Sequence, residues 1–130
     1  MADRFRVLLC DDVAMLRELL RYELEQDDDL VVVGEADNGL DGVRLVEELK
    51  PDVVVLDLAM PGLDGLEALT RMLAVSPPPE ILVHSGFDAA GMRDRVLALG
   101  AARYLKKGGK LGDVRVDVRE IIEASARRRP

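Results

Sequence analysis

Val53-Val54-Val55-Leu56 is four consecutive apolar residues, three of them β-branched, stopped by Asp57; Asp64-Gly65-Leu66-Glu67 then opens an amphipathic segment. A run so short and apolar at every position suits a strand covered on both faces. An aspartate followed by a glutamate at the third helical position is a helix start. Buried strand, loop and helix therefore follow one another here, and the same unit recurs along the chain. Val7-Leu8-Leu9-Cys10, Val31-Val32-Val33 and Ile81-Leu82-Val83 are further buried strands, and Ala102-Arg103-Tyr104-Leu105 is a weaker fifth. Helical spacing puts Leu16, Leu19, Leu20 and Leu24 on one face of a first helix. Gly42, Leu45, Val46 and Leu49 mark the second, Leu66, Leu69 and Leu73 the third, Met92, Val96 and Leu99 the fourth, and Val114, Val118, Ile121 and Ile122 the last. Asp88 is a candidate cap for the fourth helix, and Gly91 is expected inside it as a pliable point. Pro51 and Pro77-Pro78-Pro79 break the pattern after the second and third helices.

Strand–helix alternation repeated about five times predicts an α/β domain, a doubly wound parallel sheet with helices on both faces. Right-handed crossovers leave few topologies. The flavodoxin-like (βα)5 arrangement with strand order 2-1-3-4-5 is the one expected, with ligands at the carboxyl ends of the strands.

Bulk properties agree with one domain. The chain has 130 residues, 48% of them hydrophobic, and a mean hydropathy of +0.04, enough for a single core. No apolar run approaches the roughly 20 residues that span a bilayer, and the N-terminus lacks the long apolar stretch of a signal peptide. One cysteine excludes an internal disulfide and fits a cytoplasmic setting. A formal charge of −7 argues against direct nucleic-acid binding, and the one basic cluster is Arg127-Arg128-Arg129 before Pro130.

The chemistry-bearing residues fall at strand ends. Asp11 and Asp12 follow the first strand, Asp57 the third, Ser85 the fourth and Lys107 the fifth. Singly, each is an ordinary loop residue. In the expected strand order the first and third strands are neighbours, so three carboxylates converge and repel unless a cation joins them. A hard divalent ion such as Mg2+ suits an all-oxygen donor set. Acids, a hydroxyl and an ammonium on one rim make a phosphoryl site with Asp57, the central acid, as nucleophile. His84 and Cys10, each within or at the end of a core strand, are expected to be packed structural residues.

Taken together, Asp11-Asp12, the block from Asp57 to Gly65 with Met60-Pro61 inside it, Ser85-Gly86 and Tyr104-Leu105-Lys106-Lys107 resemble the response-regulator receiver family of two-component signalling. The resemblance covers the chain from about Arg6 to Arg127, and the central block is its most specific part. The strand order above is itself a known property of that family. Carried over position by position, the resemblance implies that Asp57 is the phosphoacceptor. Asp11 and Asp12 are then the acidic pair around Mg2+, and the backbone carbonyl of Ala59 is a further metal ligand. It makes Ser85 the switch hydroxyl, Tyr104 the switch aromatic, and Lys107, three residues after that aromatic, the conserved-type lysine. Lys106 should point to the opposite face. One departure is notable: the family often has proline after the lysine, whereas Gly108 and Gly109 follow here, as in receivers of the NarL/FixJ type.

From the resemblance, residues 4–126 are expected to be a receiver domain and 127–130 a C-terminal tail or the start of a linker. Phosphorylation by a sensor histidine kinase or a small acyl phosphate would switch the surface of the fourth helix, fifth strand and fifth helix. That surface would control a DNA-binding output domain or a partner protein, with transcription as the expected output and a homodimer forming on activation. The domain itself is expected neither to bind nucleic acid nor to meet a membrane, and to be no enzyme beyond assisting its own modification. Two other readings are a phosphorylation-independent scaffold, opposed by the intact site, and an aspartate-nucleophile phosphatase. Against the phosphatase, the position two after Asp57 is Ala59 and not a second acid.

Overall fold

The computed structural model describes residues 4–86 and 91–128. Ten elements alternate without exception: β1 (Phe5–Cys10), α1 (Ala14–Leu24), β2 (Leu30–Ala36), α2 (Gly39–Leu49), β3 (Val53–Leu56), α3 (Gly65–Leu73), β4 (Glu80–Ser85), α4 (Met92–Leu99), β5 (Arg103–Lys106) and α5 (Leu111–Arg128). The strands form one sheet in the order β2-β1-β3-β4-β5, with every pairing parallel.

Alternation along the strands divides the interior in two. Leu8, Cys10, Val54, Leu56, Ile81 and Val83 meet Val46 of α2, Leu69 and Met72 of α3 and Val96 of α4 on one face. Val7, Leu9, Val53, Val55 and Leu82 meet Leu20 and Leu24 of α1 and Val114, Val118, Ile121 and Ile122 of α5 on the other. Burial of both faces explains why the strands carry apolar residues at consecutive positions.

Register fixes where the strands end. Cys10 lies opposite Leu56, and Leu56 opposite Val83. Asp11 and Asp57 therefore leave β1 and β3 at one level, beside His84 near the end of β4. β2 is longer than its valine run, and its register against β1 skips a residue between Val32 and Gly34, a bulge that leaves Val33 over.

Local expectations fare unevenly. Asp64 caps α3 through Oδ1, which accepts from the N–H of Leu66 at 2.9 Å and of Glu67 at 3.3 Å. Gly91 is not inside α4. It precedes the helix with φ +81°, a left-handed conformation that suits glycine and lies outside the α-helical region. Leu19 and Leu99 are exposed and not on core faces. In α1 the core line runs through Leu20 and Leu24, and Leu19 stands about 100° around the helix from Leu20. The helix α5 continues to Arg128. Asp88 and the terminal Arg129-Pro130 lie outside the described residues.

Candidate functional site

Asp11 and Asp57 are held at the ends of neighbouring strands by the continuing ladder. The Asp57 N–H donates to the Cys10 carbonyl at 2.9 Å, and the Asp11 N–H to the Ala36 carbonyl at 3.0 Å. Both side chains are buried, each residue only 3% exposed. Each carboxylate has one oxygen tied to the loop that follows it. Asp11 Oδ1 accepts from the Val13 N–H at 2.9 Å, and Asp57 Oδ1 from the Ala59 N–H at 3.0 Å. Their Oδ2 atoms are left to share one cation: Lys107 Nζ stands 2.7 Å from that of Asp11 and 3.0 Å from that of Asp57.

Asp12 is exposed, and it completes a group in which one carboxylate oxygen from each of Asp11, Asp12 and Asp57 lies within 4.8 Å of the others. Three hard oxygen donors that close, already drawing an ammonium between two of them, fit a small divalent cation. Burial works to lower the Lys107 pKa. Hydrogen bonds and charge attraction from Asp11 and Asp57 outweigh it, so the ammonium is held above its ordinary value and stays charged throughout the neutral range.

Local backbone explains how Lys107 reaches this point. Its N–H donates to the Ser85 carbonyl at 3.0 Å, extending the β4–β5 pairing beyond Lys106. Lys106 is exposed while Lys107 is half-buried, as alternation requires. Gly108 then turns with φ +107°. Proline is locked near −65° and cannot adopt that conformation, so the glycine after the lysine belongs to a different loop path.

The loop after Asp57 is pressed from behind by α3. A methyl group at Gly65 would lie 2.6 Å from Leu58 Cα, so only glycine allows this approach, and Asp64 caps the helix at the same corner. Ser85 is fully buried at the end of β4. Tyr104 is half-buried on β5 opposite Val83 and packs with the α2–α3–α4 side of the core. It also lines a surface depression of about 300 Å³ with Arg93, Leu97, Arg103 and Asp117. The acids and Lys107 thus meet at one point, while Tyr104 packs on the α2–α3–α4 side of the sheet.

Two further residues lie beside the acids: His84, read from the sequence as a packed strand residue, and Arg17, which carried no sequence signal of its own. His84 is 6% exposed, and burial together with the Lys107 ammonium lowers its pKa. Arg17 donates from Nη1 to the Asp11 carbonyl at 2.6 Å. An arginine at a helical position without a distinctive neighbour has no pattern to reveal such a contact.

Comparison with known proteins agrees with this arrangement. Residues 7–119 match the response regulator receiver domain family. The transcriptional regulatory protein LiaR of Bacillus subtilis is 41% identical over 109 residues, which are 84% of this chain and 52% of LiaR. The chemotaxis protein CheY of Listeria monocytogenes is 36% identical over 102 residues, 78% of this chain and 85% of CheY. A protein-glutamate methylesterase/protein-glutamine glutaminase of Maricaulis maris is 40% identical over 90% of this chain, which spans only 30% of that relative. Among solved structures, the response regulator domain of Thermotoga maritima CheB superposes with a TM-score of 0.83 at 30% identity, covering 98% of this chain and 99% of that one. The receiver domain of the Mycobacterium tuberculosis regulator NarL does so with 0.86 at 30% identity, covering 94% and 98%. Fold, acid cluster and sequence likeness converge, and the chain belongs to the response regulator receiver domain family.

Proposed function

We propose that this domain is a phosphoryl-accepting switch with Asp57 as the acceptor. The observation that carries the reading is the buried Asp57 carboxylate, one oxygen restrained by the Ala59 N–H and the other facing Lys107 beside Asp11. A carboxylate so oriented is a nucleophile with one oxygen pre-aimed. In the reaction, Asp57 Oδ2 forms a bond to phosphorus as the bond to the donor breaks. The donor is a phosphohistidine of a sensor histidine kinase or a small acyl phosphate, and the electron pair leaves with its nitrogen or oxygen.

Asp11, Asp12, Asp57 and the Ala59 carbonyl would hold Mg2+, which when bound supplies neutralising charge to the transferring group. Lys107 then turns from Asp11 to the new phosphoryl oxygens, and the Ser85 hydroxyl donates to another of them. With Ser85 drawn inward, Tyr104 follows and biases the α4–β5–α5 surface between two arrangements. The switching unit is residues 4–126, with 127–130 a tail or linker start, and its place is the cytoplasm, where kinase and phosphodonor meet. Output through a DNA-binding domain or a partner protein is supported by the likeness to the transcriptional regulatory protein LiaR, and a homodimer formed on activation is the arrangement we propose for the switched state.

The test is intact mass after incubation with acetyl phosphate and Mg2+. Wild type should gain the mass of one phosphoryl group, and Asp57→Asn or a Mg2+-free sample should not. Equal gain in the Asp57→Asn protein would dismiss Asp57 as acceptor.

A further inference from the structure

We infer that Arg17 is a positioning residue that sets the affinity of the acid cluster for its divalent cation. The inference rests on the metal-assisted reading above and adds to it a residue outside the cluster.

Arg17 lies in α1 and bridges two elements. Its Nη1 donates to the Asp11 carbonyl at 2.6 Å, and its Nε donates to Glu35 Oε1 on β2 at 2.9 Å. Arg21, one turn further along, takes the other Glu35 oxygen through Nη2 at 2.7 Å and Nε at 3.2 Å. Glu35 is therefore gripped on both oxygens. Burial works to raise its pKa, but the two guanidiniums prevail and hold it below the usual glutamate range. The Arg17 side chain is only 17% exposed, and its planar fork cannot follow one partner without leaving the other.

The carbonyl that Arg17 grips belongs to the peptide joining Asp11 to Asp12. Asp11 is also held through its N–H, its Oδ1 and the Lys107 ammonium on its Oδ2. Asp12 is exposed, and among the described residues its carboxylate has no hydrogen-bond or ion-pair partner. Its direction is inherited from that peptide. Holding the peptide at one orientation fixes the angle between two of the three carboxylates, which a cation demanding near-octahedral oxygens requires in advance.

Arg17 is also a positive charge, and by charge alone it would repel a cation. Its pairing with Glu35, which Arg21 shares, offsets part of that field, whereas the hydrogen bond to the peptide is undiminished. The inference requires orientation to outweigh repulsion, so its sign is read directly from whether Mg2+ binds more weakly or more tightly without the guanidinium.

The experiment titrates Mg2+ into the 130-residue chain by isothermal calorimetry without phosphodonor, for wild type, R17K and R17M. R17K keeps the charge and loses the fork; R17M loses both. Both should bind Mg2+ about 10-fold more weakly than wild type, the loss usual when a ligand's supporting partner is removed. With acetyl phosphate, the half-saturating Mg2+ should rise similarly while the phosphorylation rate at saturating Mg2+ stays near wild type; a merely loosened fold lowers that rate too. Wild-type affinity in R17K, or tighter binding by R17M, overturns the inference, and if one variant does not fold the other decides. A wild type that takes no Mg2+ overturns it by removing the metal-assisted reading beneath, so the two failures are distinguishable.

Discussion

His84 shares its sheet face with Asp11, Asp57 and Lys107, because strand alternation carries Leu82 and Leu105 into the α1–α5 side of the core and the next residue but one follows them. Its Nδ1 is buried without a hydrogen-bond partner among the described residues. Burial and the Lys107 ammonium disfavour the imidazolium, Asp11 and Asp57 favour it, and the balance lies below the ordinary value of 6.5. The unfolded chain then takes up a proton that the fold resists. Stability falls as pH drops below 6.5 and continues to fall until the folded-state pKa is passed. Carboxylates held low, such as Glu35 and Asp29, lose their contribution only below their own ordinary values of 4.5 and 3.8, which leaves the interval from about pH 6.5 to about pH 5 to His84. Urea unfolding across that interval should show wild type losing stability while His84→Leu stays nearly flat; parallel slopes would remove the assignment. At this scale the sequence was informative wherever a residue's position follows from strand ends. Asp11, Asp12, Asp57 and Lys107 were legible because each follows a recognisable apolar run. Arg17 was not, since a guanidinium gripping a backbone carbonyl across elements leaves no spacing to read.

Among the helices α4 is the least anchored: Val96 is its one buried residue, while Leu97 and Leu99 are exposed and Gly91 and Gly100 flank it with left-handed backbone. Helix propensity alone would have Gly91→Ala stiffen this element. With φ +81° the added methyl instead forces an unfavourable conformation, costing on the order of 1 kcal/mol. Amide exchange across residues 92–99 should therefore quicken in Gly91→Ala, and slower exchange would contradict the geometry. The helix α1 differs in another way. Met15, Leu19 and Tyr22 lie at helical spacing with exposures of 62%, 45% and 70%, continuing from exposed Val13, whose N–H binds Asp11. On the proposed function, this apolar stripe beside the acid cluster is the surface offered to a protein phosphodonor. Leu19→Glu should slow phosphorylation by a cognate kinase at least about 10-fold, as loss of a central apolar contact does, while leaving phosphorylation by acetyl phosphate unchanged. Equal effects on both donors would exclude docking there. Strands and helices were legible from apolar period because burial on two faces enforces it. Helix ends at glycines were not, because a left-handed turn and a pliable helical glycine look identical in one dimension.

Across the whole molecule, charge is organised around a native-only cluster. Arg115 pairs with Glu23 and Asp27, and Arg119 with Asp29, joining α5 to α1 and its following loop, so most acids on that side already have partners. At the carboxyl end of the sheet Lys107 serves both Asp11 and Asp57, one cation for the two buried acids, with Asp12 beside them. Among the described residues, three acids face the single Lys107 ammonium at that end, and the three acids meet only when β1 and β3 are paired. A divalent ion binding there binds the native state and not the unfolded chain, so stability must rise with its concentration. At 100 times Kd the gain is about 2.7 kcal/mol, which for a domain of this size raises Tm by on the order of 10 °C. Scanning calorimetry with increasing Mg2+ should show that rise, and NaCl at matched ionic strength should give little of it, because screening does not occupy the cluster. Asp12→Asn removes an exposed carboxylate without disturbing the core and should abolish most of the Mg2+ shift while leaving the Mg2+-free Tm near that of wild type. A shift of equal size in Asp12→Asn, or with NaCl alone, would mean that the acids respond to ionic strength and not to a bound ion.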